Sequence, residues 1–170
     1  MGKKYNLFFL ILIFIIAGCQ TGSYSKTKIA EDAAWALIYQ LAENTDDSVI
    51  AVYSFTEDGE EGRISAYFEN ALPTALVAAI EDEELDLTVV SRSKIDQILQ
   101  ESEFQRSGLV NESEQIRIGQ FLGADYIITG TIDFNYEGKD YTEYTLIIQV
   151  LDIEEGTIIG GYQELFWVDK

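Results

Sequence analysis

The residues able to do chemistry are few in kind. The chain has 30 Asp and Glu, 11 Lys and Arg, one Cys and no His. Without imidazole, His-based acid–base catalysis, Ser-His-Asp or Cys-His nucleophile activation and the common zinc sites each lose an essential group. Paired carboxylates alone can hydrolyse glycosides. Among 30 acids, however, a pair at a suitable separation arises by chance, so no catalytic residue is assigned and no cofactor or metal is implied. Asp58-Gly59-Glu60-Glu61-Gly62 gathers oxygen ligands but lacks the alternating spacing and the distant bidentate Glu of a calcium loop. It reads as a solvated turn.

Cys19 is the one side chain whose neighbours prescribe a reaction. Lys3-Lys4 precede an apolar run from Leu7 to Ala17, which closes on Gly18-Cys19. This is the basic, apolar and small-residue plan of an export signal. The run is well short of the ~20 residues that a helix needs to cross a hydrocarbon core, which argues against a permanent transmembrane anchor. Ile16-Ala17-Gly18-Cys19 resembles the bacterial lipobox, which implies cleavage after Gly18 and acylation of Cys19. Several acyl chains on one residue exceed what stable anchoring requires. Gln20 stands where an Asp often retains such proteins at the inner membrane, so the resemblance implies delivery to the outer membrane of a two-membrane envelope. Thr21 to Lys26 is the only linker-like stretch, and it reaches no more than roughly 25 Å from the lipid.

The positioning elements lie downstream, in a single domain expected over residues 28–170. A formal net charge of -19 repels phosphate backbones and argues against a nucleic-acid partner. Aromatics at 12% exclude a disordered acidic chain. Apolar residues every fourth position (Ile29, Ala33, Leu37, Leu41) predict a helix over Lys28–Asn44. Ser48–Phe55 is apolar on both faces and predicts a central strand. A helix over about Arg63–Glu81 buries Ile64, Phe68, Leu72, Ala75, Leu76 and Ala79, with Pro73 expected to kink or split it. Leu87–Val90 is a short strand. Ser93 with Asp96 predicts a capped helix through Phe104, and Asn111 with Glu114 another, with Ile118, Phe121 and Leu122 facing inward and Gly123 at its left-handed end. Strands follow at Asp125–Phe134, Tyr141–Asp152 and Thr157–Trp167, with Gly156 turning the last hairpin and Gly160-Gly161 suggesting a bulge. The order α-β-α-β-α-α-β-β-β predicts an α/β fold, a mixed β-sheet with helices packed on it.

Several segments carry a family pattern. Val89-Val90-Ser91-Arg92, then Ile95 to Glu101 and Gln105-Arg106-Ser107-Gly108-Leu109, form one part of it. Ile118 to Thr131, with its Gly123-Ala124-Asp125 and Thr129-Gly130, forms a second, and Ile50-Ala51-Val52-Tyr53-Ser54-Phe55 and Val150 to Ile159 complete it. Together they resemble the curli assembly/transport lipoprotein superfamily of CsgG type. That superfamily includes LpoB-type activators of penicillin-binding proteins and FlgO-type outer-membrane lipoproteins. The resemblance implies a non-enzymatic, lipid-anchored binding or assembly factor facing the periplasm, curli-type or flagellum-associated. Two alternatives stay open: an LpoB-type activator of a penicillin-binding protein in peptidoglycan synthesis, and a subunit of an oligomeric secretion channel. The implied partners are the membrane, through the N-terminal lipid, and an envelope protein that is either an assembly component or a cell-wall synthase; a homo-oligomer is compatible with all three.

Candidate partner-binding residues follow from charge. Glu57, Glu60 and Glu61, with the run Glu81 to Asp86, form acidic surface suited to steering a basic partner. Arg92 and Arg106 stand out among few cations, either as partner contacts or as salt-bridge and helix-end residues. Trp35, Tyr141, Tyr144, Phe166 and Trp167 line either a core or a sugar- or protein-binding surface.

Overall fold

The structure, a computed structural model, describes residues 25–42, 47–58, 62–101 and 112–170. The elements run α1 (Lys26–Ala42), β1 (Ser48–Glu57), α2 (Arg63–Asp82), β2 (Leu87–Val89), α3 (Arg92–Glu101), α4 (Glu112–Leu122), β3 (Tyr126–Glu137), β4 (Tyr141–Asp152) and β5 (Thr157–Asp169). Type and order are those the sequence predicts. The five strands form one mixed sheet in the order β2-β1-β3-β4-β5, parallel across β2, β1 and β3 and antiparallel beyond.

The two faces of this sheet are covered unequally. One face carries α1 and α2, whose stripes Ile29, Ala33, Leu37, Leu41 and Phe68, Leu72, Leu76 pack on Ile50, Val52, Phe55, Ile128, Leu146, Ile148 and Phe166. On the other face, a smaller cluster joins Ile95, Ile118 and Leu122 to Ala51, Tyr53, Ile127 and Leu151. Interior β1 therefore buries both sides, as its unbroken apolar run requires.

Pro73 does not split α2, which runs unbroken from Arg63 to Asp82. A proline inside a helix costs about 3 kcal/mol. Burying Leu72, Leu76 and Ile80 around it returns about 1.5–3 kcal/mol for each large side chain, enough to carry the helix through.

Three details of the sequence reading are corrected. Helix α3 begins at Arg92, not after Ser93: the Lys94 and Ile95 N–H groups donate to the Ser91 carbonyl at 3.1 and 3.2 Å, so Ser91 is the cap. Val90 is still tied to the sheet through its N–H to the Ile50 carbonyl (2.8 Å), and the helix starts as soon as that tie ends. Phe121 is 58% exposed rather than inward. A Cβ on Gly119 would fall 2.5 Å from the Ile153 side chain, so α4 approaches the sheet along Ile118, Gly119 and Leu122 and turns Phe121 to its flank. Finally, β3 continues to Glu137, leaving only residues 138–140 between it and β4.

The family glycines and Asp125 have local structural duties. Gly123 (φ 66°) is left-handed, and the Ala124 and Gly123 N–H groups return to the Gly119 and Gln120 carbonyls at 2.9 and 3.2 Å, closing α4 as a Schellman motif. The Asp125 carboxylate accepts the Val49 N–H (2.8 Å), while its main chain bonds Val49 and Ile153. One aspartate thus locks the starts of β1 and β3 to the β4–β5 turn. A Cβ on Gly130 would sit 2.2 Å from the Phe55 ring.

Candidate interaction surfaces

The acidic surface at the end of β1 is built into the fold. The Glu57 carboxylate accepts the Ile64 N–H (3.0 Å) at the first turn of α2, where helix donors lack partners and the dipole favours an anion. Gly62 makes room for it, since a Cβ there would lie 2.0 Å from Glu57 Oε2. Asp58, left-handed at φ 50°, accepts the Phe134 N–H (3.0 Å) and donates its own N–H to the Ile132 carbonyl (3.0 Å). Glu60 and Glu61 lie outside the described residues, as do Arg106, Gly18 and Cys19; so does the Arg92 side chain, although its backbone opens α3.

Beside Glu57 and Asp58 runs an aromatic ladder. Phe134, Tyr144 and Phe166 are direct partners across β3, β4 and β5, with ring centroids 6.2 and 5.7 Å apart. Phe166 continues to Phe68 at 5.9 Å. Burial, reinforced by the Glu57, Asp58 and Glu137 carboxylates, raises the Tyr144 phenol above its ordinary value. Glu137 itself is held below the usual carboxylate range by its hydrogen bond and charge pairing with Lys170 (2.7 Å).

The second acidic stretch follows α2. Glu81, Asp82, Glu83, Glu84 and Asp86 are all exposed, and Glu84 takes the left-handed conformation at φ 51°. The Leu85 N–H returns to the Ile80 carbonyl (3.1 Å) and the Glu84 N–H to Glu81 (3.3 Å), so a glutamate occupies a position that glycine usually fills. This acidic end adjoins a groove of about 480 Å³ between α1 and α2, floored by Ala30, Ala71, Ala75 and Trp35 and rimmed by Glu31 and Asp82.

The five aromatics singled out from sequence therefore separate. Phe166 and Tyr144 belong to the helix-covered face, Trp35 to the groove, and Tyr141 and Trp167 to the opposite face of β4 and β5. There the Trp167 indole donates to Glu143 Oε2 (3.1 Å), and Tyr136, which the sequence reading left in a loop, joins them across β3. No sequence signal marks Tyr136, because its position depends on a bulge at Asn135 that carries no glycine. Among the described residues no group of acids is arranged to hold a metal ion, and no helix is long and apolar enough to cross a membrane.

A mixed sheet bearing two helix pairs, with a groove and acidic ends, defines an α/β domain. The family described as "Peptidoglycan-synthase activator LpoB" matches residues 27–160, most of the chain. The chain belongs to this LpoB family. Solved structures agree on the fold. The LpoB C-terminal domain from Escherichia coli superposes with a TM-score of 0.59 at 19% identity, covering 80% of this chain and 96% of that one. That from Salmonella enterica gives 0.56 at 18%, with the same coverage. Lipoprotein GNA1162 from Neisseria meningitidis gives 0.52 at 13%, covering 72% and 84%. A search of curated proteins gave no match.

Proposed function

We propose that this protein is a non-enzymatic activator of a peptidoglycan synthase, the LpoB-type alternative, rather than a curli-type or flagellum-associated assembly factor. The observation that carries this reading is the LpoB family match over residues 27–160, which runs from α1 through β4 into the start of β5. Activation then proceeds by docking: the domain binds a penicillin-binding protein and shifts it toward its active conformation, which requires only differential affinity for two states.

The chain carries an export signal over residues 1–18, a lipid on Cys19 and a short tether to the domain of residues 28–170. The lipid holds it at the outer membrane with the domain facing the periplasm. Helix α1 starts at Lys26, so the domain stays within roughly 25 Å of its bilayer at full extension. The synthase must therefore reach toward that membrane. The channel reading is weaker, because a transmembrane hairpin adds about 20 residues and the longest stretch separating two described elements is residues 102–111.

The test is a glycan-polymerisation assay on the penicillin-binding proteins of the source organism, with and without the purified protein. A several-fold rate increase for one of them is expected; unchanged rates for all of them reject the reading. Incorporation of labelled fatty acid that disappears in Cys19→Ala checks the anchor separately.

A further inference from the structure

On the sheet face that α1 and α2 do not cover, β3, β4 and β5 bring together Tyr136, Glu143 and Trp167 as direct cross-strand partners. Tyr141, two residues before Glu143, joins them with its ring 6.5 Å from that of Tyr136. Tyr136 is 56% exposed, so its ring is accessible on this face.

A bulge puts it there. Phe134 pairs with Tyr144 and Tyr136 with Glu143, leaving Asn135 as the extra residue. Strand residues alternate between faces, so regular pairing would send Tyr136 to the same side as Phe134. The extra residue instead turns Asn135 and Tyr136 to one face, where Asn135 Nδ2 donates to Thr145 Oγ1 (2.8 Å). Bulges commonly re-aim side chains in this way beside functional sites.

The chemistry of the cluster is specific. The Trp167 indole donates to Glu143 Oε2 (3.1 Å) and so orients a carboxylate whose second oxygen takes no hydrogen bond from a described residue. Aromatic rings flank it on both neighbouring strands. Glu143 forms no ion pair with a described cation: the nearby Lys170 ammonium is paired with Glu137. A carboxylate set among aromatic faces suits a guanidinium, which stacks its plane on a ring while its N–H groups meet the oxygens. The net charge of -19 adds long-range attraction for a basic surface and opposes the carboxylate-bearing peptides of a cell wall.

We propose that Tyr136, Tyr141, Glu143 and Trp167 form a subsite for an arginine side chain presented by the protein partner. The inference deepens the activator reading, in that the partner must be a protein. Its test needs no synthase, so the two can fail separately.

The probe is acetyl-tetra-arginine amide, with acetyl-tetra-citrulline amide as the neutral isostere and a tetramer of N-acetylglucosamine as the glycan arm. The chain has two tryptophans, so Trp35→Phe leaves Trp167 as the only indole for fluorescence. In the unaltered chain, the indole N–H resonance that Trp167→Phe removes gives the same readout should Trp35→Phe fold poorly. The arginine peptide is expected to cause a saturable change at Trp167 that citrulline does not. Glu143→Gln should weaken it about tenfold, as loss of a charge-assisted pair does, and Tyr136→Ala should weaken it too, both with the melting transition in place. Equal binding of citrulline, unchanged affinity in Glu143→Gln, or a response to the glycan alone would overturn the proposal.

Discussion

Residues 165 and 166 are chain neighbours on β5 with opposite fates. Phe166 is fully buried beneath α2, stacked on Tyr144 and edge-on to Phe68. Leu165, on the opposite side, is 42% exposed, beside the Tyr136–Glu143–Trp167 row. The two faces of the β3–β5 strands thus differ: one closes the core, and the other is covered by no described helix, because α3 and α4 pack over the β1–β3 end, on Ala51, Tyr53 and Ile127. Stability is concentrated on the helix side, so substitutions on the other face can leave the core intact.

The sharpest way to break this contrast is to truncate both neighbours. Phe166→Ala should cost about 3–5 kcal/mol and Leu165→Ala less than about 1 kcal/mol, because only the former opens a cavity. Urea unfolding of the two variants measures both, and equal losses would remove the distinction between the faces. Next in size is Gly130→Ala, whose new Cβ meets the Phe55 ring. Overpacking of this kind costs about 1–3 kcal/mol, and trimming the ring in a Phe55→Leu background should recover part of the loss in the same assay.

A smaller effect is expected where the open acidic end meets the core. Glu57→Ala removes the acceptor for Ile64 N–H and should cost about 1 kcal/mol, the scale of a lost helix cap; an unchanged melting temperature would show that this carboxylate does not stabilise the helix start. At the other end of α2, Glu84→Gly relieves the left-handed glutamate. It should raise stability by up to about 1 kcal/mol, since the glycine gain in αL exceeds its entropy cost in the unfolded chain.

Least of all, pH should distinguish the ladder. Tyr144 is raised in the folded state by burial first, then by Glu57, Asp58 and Glu137. Its contribution is fully present below the unfolded value near 10 and is lost as pH rises through the folded one. Alkaline unfolding should therefore steepen above pH about 10 and be milder in Tyr144→Phe. Part of the slope should remain, because burial and the Asp152, Asp125 and Glu154 carboxylates raise Tyr126 as well.

Much of the architecture is legible in the residues because local rules and burial agree there. The fourfold spacing of Ile29, Ala33, Leu37 and Leu41 admits one helix face, and all four are buried. Gly156 turns left-handed at φ 64° in the β4–β5 turn, as its place predicts. The bulge expected at Gly160-Gly161 falls one residue earlier, at Ile159. Gly160 instead makes room for the Gln40 side chain of α1, since a Cβ there would lie 2.5 Å from Gln40 Oε1, and Gln40 bonds both the N–H and the carbonyl of Gly161, at 2.8 and 3.0 Å. Contacts at such distance in the chain leave no local trace. Phe121 illustrates the converse: helical periodicity marks it as inward, but the close approach of Gly119 to Ile153 decides which flank of α4 meets the sheet.

The candidate surface follows the same division. Glu57 is visible as an acid in a loop-flanking position, while its use as the cap of α2 requires β1 and α2 to be folded together. The sequence alone, through the order and periodicity of its apolar residues, determined the elements and their succession, and through Gly123, Asp125 and Gly130 part of the resemblance to the CsgG-type superfamily, because these depend on backbone preferences and burial that act over a few residues. Tertiary structure decided which face of β3–β5 would stay open and that a bulge at Asn135 would bring Tyr136 beside Glu143 and Trp167. Cross-strand register is a property of paired strands, and no single segment encodes it.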